Sequence, residues 1–205
     1  MRTNQAEFYR GLEAASGALA NAKADADGGA APLAIAVHDA VTPLLTADAA
    51  SHACRAGCAA CCHFPVGVTF AEAQRLAAAI AAEARLVDHV LAEADDSEPL
   101  AWPQLVGRPC PLLLDGRCRR HEARPLPCRA LASRDAAACE RALTATVEVP
   151  RDEVATWRGL GAGAALASAG PVHGHRELRA ALAAVLRHPA AAATAFLAAR
   201  AAPGS

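Results

Sequence analysis

Residues 54–63 read CRAGCAACCH: Cys54, Cys58, Cys61 and Cys62, with His63 directly after. Wound as an α-helix, this stretch makes Cys54–Cys58 and Cys58–Cys62 i,i+4 pairs and Cys58–Cys61 an i,i+3 pair, so the four thiols share one face. That helix would separate Cys54 from Cys62 by about 12 Å along its axis. One zinc ion, with bonds of about 2.3 Å, cannot span that distance. Gly57 also weakens the helix. Either the stretch coils into a loop, or its thiols serve a multinuclear cluster or two centres. The Cys61-Cys62 doublet points the same way, because neighbouring side chains diverge and rarely bind one ion together.

A second group of thiols follows in CPLLLDGRCRRHEARPLPCR, residues 110–129: Cys110, Cys118 and Cys128, with Cys139 beyond them. Asp115-Gly116 is a two-residue hairpin signal. The hairpin register sets Cys110 opposite His121, which makes His121 a candidate metal ligand or a neighbour of the ligands. Pro125 and Pro127 argue against a helix through Cys128. Arg55, Arg117, Arg119, Arg120, Arg124 and Arg129 surround these thiols, and positive neighbours favour the metal-binding thiolate. The bland alternative is a solvated basic hairpin in an arginine-biased chain, since Lys23 is the only lysine.

The flanks read as helix. One helix is expected over about residues 4–24, opened by an Asn4–Glu7 capping pair and ended by the Asp- and Gly-rich stretch near residues 24–29. A second begins near Pro32 and bends at Pro43. Thr69 and Glu72 form a capping box before the longest expected helix, which runs to about residue 94. Turn formers fill residues 95–109, and further helices are expected over about 129–142, 151–168, 175–187 and 190–200. GLGAGAALASAG, residues 159–170, reads as a small-residue helix, because no strand precedes it as a nucleotide loop requires. Trp102 and Trp157 are expected as core anchors. His173 and His175 precede a helix, where capping or solvent contact is their ordinary use.

The chain has 205 residues, 54% of them hydrophobic but only 3% aromatic, and a net charge of −1. That balance creates no field to recruit nucleic acid or anionic lipid. No run of 18 strongly apolar residues is present, so no membrane partner is expected. The N-terminal stretch carries scattered charges and lacks the apolar core of a secretory signal, so a cytoplasmic location is expected. Thiols stay reduced there, which favours metal over disulfides.

Together, CRAGCAACCH, VTFAEAQRLA and CPLLLDGRCRRHEARPLPCR resemble the CxxCxxCC (YkgJ-type) cysteine-cluster family of zinc- or iron-chelating proteins. The matching residues are Cys54, Cys58, Cys61 and Cys62, then Cys110-Pro111 with Gly116 and Cys118, then Arg124-Pro125 with Cys128-Arg129. The resemblance covers about residues 50–130. The gap between Cys54 and Cys58 is three residues where the family name implies two. The resemblance implies metal chelation by Cys54, Cys58, Cys61, Cys62, Cys110, Cys118 and Cys128, with Arg124 and Arg129 as cofactor-binding residues.

Three metals suit these ligands. An iron or iron–sulfur centre explains seven or eight clustered thiols and the doublet, and implies a redox, iron-handling or modification role. Structural zinc fits the Cys54-x₃-Cys58 and Cys58-x₂-Cys61 spacings and implies an adaptor module without catalysis. Copper(I) also suits soft thiolates. Partners would be the metal ion and a protein partner or substrate; whether the chain is an enzyme is left open. The expected fold is mainly α: a helical bundle with a small β-hairpin insertion and a cysteine-ligated metal site between helix and hairpin. It would form a single domain over 1–205, with a cysteine-cluster core of about 50–140 and helical extensions 1–49 and 141–205.

Overall fold

The computed structural model describes residues 2–25, 29–55, 57–199 and 201. Three helices make one layer: α1 (Arg2–Asn21), α2 (Ala31–Leu45) and α7 (Glu153–Ala167). α1 and α7 touch backbone to backbone. A Cβ added at Gly161 would stand 1.9 Å from the Phe8 carbonyl oxygen, and one at Gly11 would stand 1.9 Å from that of Arg158. Residues 159–167 of the glycine-rich run are therefore part of a small-residue helix, as its composition predicts, and the run leaves the helix after Ala167. Arg158 locks the layer: Nε donates to Glu7 Oε2 at 2.6 Å and Nη1 to the Leu44 carbonyl at 2.8 Å. Glu7 is thus engaged with α7 and does not cap Asn4, which lies inside α1. The stretch expected to end α1 falls partly on residues 26–28, outside the described residues. α2 carries Pro32 in its first turn, as expected, and continues through Pro43 to Leu45.

The second layer contains α3 (Phe70–Ile80), α4 (Ala84–Ser97), α8 (Leu178–Arg187) and α9 (Ala192–Ala198). α3 opens on the expected capping box, with Glu72 N donating to Thr69 Oγ1 at 3.3 Å. The single helix expected to residue 94 is two helices, broken at residues 81–83. An unbroken helix would carry Leu86 about 240° round from Ile80 at 100° per residue. The break lets Leu86, Val90 and Ala94 bury against α8 while Leu76 and Ile80 bury in α3. Phe70 meets Phe196 of α9 edge to face at 5.4 Å. One cluster of buried apolar side chains runs from Ala15 to Phe196 through both layers. Trp102 and Trp157 are half-buried and stand outside that cluster.

Among the described residues four two-residue strands form two antiparallel pairs. β2 (Leu113–Leu114) and β3 (Arg117–Cys118) form the expected hairpin, with Leu113 opposite Cys118. Asp115 at φ 52° and Gly116 at φ 69° supply the two positive φ values of a type I′ turn. β1 (Gly67–Val68) pairs antiparallel with β4 (Arg176–Glu177), and Leu178 N–H adds a bond to the Val66 carbonyl at 2.9 Å.

The helix expected over 129–142 is replaced by α5 (Leu126–Ala130) and α6 (Ala136–Arg141). Pro127 does not exclude helix at Cys128: it sits in the first turn of α5, where a backbone donor has no partner inside the helix. Asp135 starts α6 by accepting from Ala138 N–H at 3.0 Å. Among the described residues no single helix is long and apolar enough to cross a membrane.

Candidate metal centre

The CRAGCAACCH stretch is not an α-helix. Cys58 N–H closes a turn on the Arg55 carbonyl at 2.9 Å, Gly57 sits at φ 85°, and Ala60–His63 make a single 3₁₀ turn. Gly57 supplies the left-handed residue that side-chain-bearing residues rarely adopt, which ends helical propagation after Cys54. The backbone then bonds outward. Ala53 N–H donates to the Ser133 carbonyl at 2.8 Å. The Cys62 carbonyl accepts from Cys110 N–H at 2.7 Å, and the His63 carbonyl from Gly107 N–H at 2.8 Å. Of the two arrangements open to the sequence, the loop is the one adopted, and it seats the doublet directly on the segment that carries Cys110.

The thiols fall into an inner and an outer group. Cys61 and Cys62 are hydrogen-bonded to each other, and that bond lowers Cys61 to about 7, against burial and with help from Arg124. The same bond, with burial and the nearby Cys61, Cys110 and Cys128, pushes Cys62 up. The doublet therefore gives up one proton readily and keeps the other. Burial raises Cys110 to about 11, although Arg179 opposes it. Burial also raises Cys118, which feels Arg124 and Cys61, and Cys128, which feels Cys110, Cys61 and Cys118. Cys61, Cys62, Cys110, Cys118 and Cys128 thus lie within electrostatic reach of one another.

Cys54 belongs to the outer group. Its thiol is raised by desolvation despite the Ser133 N–H that donates to its sulfur at 3.4 Å, and its charged neighbours are Cys58, Cys61 and Cys139. α6, which carries Cys139, packs on the Ala60–His63 turn. All eight cysteines are free thiols. Among the described residues no group of three or more His, Cys, Asp or Glu side chains is arranged to hold a metal ion.

His121 is placed apart from the thiols in its contacts. The hairpin ladder extends one further bond, Arg119 N–H to the Leu112 carbonyl at 2.8 Å, and then stops. Leu113 N–H turns back to the Cys110 carbonyl at 2.8 Å, so Cys110 and His121 do not pair across the hairpin. His121 begins a 3₁₀ turn, its side chain is 62% exposed, and its Nδ1 lies 2.8 Å from Arg124 Nη1. Arg124 also donates to the His121 carbonyl at 2.9 Å, and its charge acts on Cys61 and Cys118. Arg129 braces backbone: Nε donates to the Arg124 carbonyl at 2.7 Å, Nη1 to Thr42 Oγ1 at 3.0 Å, and Nη2 to the Glu122 carbonyl. His63 Nδ1 lies 3.1 Å from the Ala59 carbonyl oxygen.

Two buried polar networks hold the thiol segments, and neither was named from the sequence. Glu72 Oε2 accepts from Thr69 N–H at 2.9 Å and Thr69 Oγ1 at 3.0 Å, while Oε1 accepts from Leu126 N–H at 2.6 Å and lies 3.2 Å from His38 Nε2. Arg75 donates to His38 Nδ1, so Nε2 carries the proton and donates to Glu72. Burial pushes the Glu72 carboxyl up, but His38 and the Leu126 and Thr69 donors outweigh it and hold it below the usual range. Burial lowers His38, against the attraction of Glu72. The second network is Arg179–Glu177, 3.0 Å apart and both buried. Arg179 Nη2 also donates to the carbonyls of Arg108 at 3.0 Å and Pro109 at 2.7 Å, fixing the approach to Cys110. The capping box advertised Glu72 locally. Its bonds to His38 and Leu126, like the grip of Arg179 on residues 108–109, join positions too distant in sequence to leave a local pattern.

A family model described as "CxxCxxCC: Putative zinc- or iron-chelating domain" matches residues 53–148. Residues 53–148 are thus similar to the CxxCxxCC domain. The match begins one residue before Cys54 and ends beyond Cys139, so all eight thiols lie within the matched residues. His38, Glu177 and Arg179, which fix its loops, lie outside it. No curated protein and no solved structure matches the chain.

Proposed function

We propose that the CxxCxxCC domain holds a polynuclear thiolate centre of iron or iron–sulfur type, used for redox chemistry, iron handling or a modification reaction. The observation that carries this reading is the electrostatic reach among Cys61, Cys62, Cys110, Cys118 and Cys128, with Cys54 joined to them through Cys61 and Cys58 and Cys139 neighbouring Cys54. A closed zinc site takes four ligands. Five inner thiols, two of them adjacent, suit a centre with more than one metal atom. The donor set is all soft sulfur, as iron–sulfur clusters require. Such a centre supplies one-electron chemistry, and Arg124 beside Cys61 and Cys118 offsets its negative charge.

Eight free thiols support a reducing compartment such as the cytoplasm. Zinc remains the second reading, as a structural staple in an adaptor, on the strength of the Cys54-x₃-Cys58 and Cys58-x₂-Cys61 spacings. Anaerobic purification followed by metal and sulfide analysis and a visible spectrum decides between them. Iron with broad absorbance near about 400 nm is expected, lost in Cys61→Ser and Cys128→Ser. A colourless protein with stoichiometric zinc overturns the iron reading.

A further inference from the structure

We infer that Arg75, Arg124 and Arg129 form a binding site for a phosphate-type dianion at the edge of the thiol centre. The three guanidinium groups converge on one short piece of backbone. Arg75 Nη2 and Arg129 Nη2 both donate to the Glu122 carbonyl, the former at 3.1 Å. Arg124 donates to the His121 carbonyl, and Arg129 Nε to that of Arg124. All three side chains are half-buried, so a solute can reach them while their positions stay fixed.

Like Arg176, which is held by the His175 and Leu197 carbonyls, and unlike five other anchored arginines, they have no carboxylate paired directly with them. Arg158 pairs with Glu7, Arg179 with Glu177, Arg108 with Glu93, Arg120 with Glu83 and Arg187 with Asp95. Among the described residues Arg75, Arg124 and Arg129 are in no ion pair; their partners are carbonyls, a hydroxyl and imidazole nitrogens. The carboxylates that act on Arg75 and Arg129 from a distance are Asp39, Glu72 and Glu122. Asp39 is exposed, Glu72 is taken by Thr69, Leu126 and His38, and Glu122 is 97% exposed.

Three like charges held together at partial burial are costly unless an anion joins them. Each guanidinium offers five N–H groups. The bonds described occupy two nitrogens of Arg75, one of Arg124 and three of Arg129, which leaves further N–H groups on each. The thiols account for only part of this charge: Arg124 acts on Cys61 and Cys118, whereas Arg75 and Arg129 are not among the main influences on any thiol. A forked, delocalised cation in triplicate matches the oxygens of a phosphate or phosphoryl group.

The test is calorimetric titration of inorganic phosphate into the full, reduced, metal-loaded chain at constant ionic strength. Saturable one-site binding is expected, weakened at least tenfold in Arg124→Gln and unchanged in Arg119→Gln, a neighbouring arginine outside the trio. Wild-type protein should also melt at a higher temperature in phosphate than in chloride of equal ionic strength, a readout that needs no variant to fold. Phosphoserine in place of phosphate reports the source: tighter binding assigns a phosphorylated molecule, weaker binding assigns the free ion, and both support the site. Absence of saturable binding, equal weakening in Arg119→Gln, or a melting shift matched by chloride would overturn it. So would binding abolished in wild-type protein stripped with a chelator, because the metal rather than the arginines would then hold the anion. That last arm separates this site from the metal reading, which stands or falls on metal content alone.

Discussion

The α1–α2–α7 layer and the thiol-bearing segments are built on opposite terms. The layer consists of helices of 15 to 20 residues, meshed at Gly11 and Gly161 and clamped by Arg158. Five of the eight thiols ride on pieces of two to six residues, the Ala60–His63 turn, β3, α5 and α6, and Cys54, Cys58 and Cys110 lie in loops. Helical pieces that short have no stability of their own in water. They are ordered by single backbone bonds, such as Cys110 to Cys62, and by two buried side-chain networks rooted outside the domain. Apolar burial therefore makes the scaffold, and polar contacts make the site. A metal would add to the second region and leave the first largely indifferent.

The joint between the regions is Glu72, and breaking it should have the largest effect. Glu72→Ala strips the Thr69 and Leu126 N–H groups and His38 Nε2–H of their buried acceptor. Leaving a buried donor without its acceptor costs about 1–3 kcal/mol, and here three donors lose theirs. Urea unfolding should show that loss, together with reduced metal retention, because Leu126 opens the helix that carries Cys128. The wild-type pH profile follows from the same pair. His38 is lowered in the fold, so as pH drops through about 6.5 the unfolded chain takes up a proton that the native state refuses, and stability falls. Glu72 is also lowered, so a further fall begins near its unfolded value of about 4.3 and is complete below its native one. Both slopes have the same sign. A loss below 1 kcal/mol in Glu72→Ala, or a profile unchanged between pH 7.5 and 4, would show that the two regions are joined elsewhere.

A smaller effect, confined to the scaffold, is expected from Gly161→Ala. The new methyl meets the Phe8 carbonyl at 1.9 Å, which no rotamer can relieve, so α1 must lift from α7. Overpacking of this kind costs about 1–3 kcal/mol. Gly17→Ala in the same pair of helices has nothing within 4 Å and should instead stabilise α1, by about 1 kcal/mol of helix propensity. Denaturation midpoints should move in opposite directions for the two variants while metal content stays at the wild-type value in both. Metal loss in Gly161→Ala would break the division drawn above.

What could be read from the sequence divides along the same line. The hairpin, the Thr69–Glu72 box and the glycine-rich helix were legible because each is a local pattern with a local cause: two positive φ values, a side chain three residues from its donor, small residues at a helix crossing. The kinship of the two cysteine groups was legible as spacing within the resemblance, and the CxxCxxCC match spans both groups. The helical reading of CRAGCAACCH failed because its i,i+3 and i,i+4 pattern was real but Gly57 and the bonds to residues 107–110 and 133 outweighed it. The helix break at 81–83 and the strand pair β1–β4 follow from packing against α8 and its approach, about a hundred residues away, which no window reveals. Arg75 attracted no attention because an arginine inside an amphipathic helix looks like a solvated one until Glu122 and His38 are placed beside it.

His121→Ala should have the smallest effect, and it is informative for that reason. The hairpin register read from Asp115-Gly116 is correct, and by arithmetic alone it sets His121 across from Cys110. The chain leaves that register after Arg119, because Leu113 N–H is spent on the Cys110 carbonyl and His121 is drawn into a turn with Arg124. A surface side chain with such partners contributes within about 0.5 kcal/mol to stability. Metal content and the visible spectrum of His121→Ala should match the wild type, whereas Cys118→Ser, three residues earlier, should lower both. If His121→Ala instead loses metal, the hairpin must extend by two more residue pairs when the centre is filled. The polar region would then be rearranged by its metal rather than merely reinforced, and its short pieces would be the means by which loading changes the shape of the site.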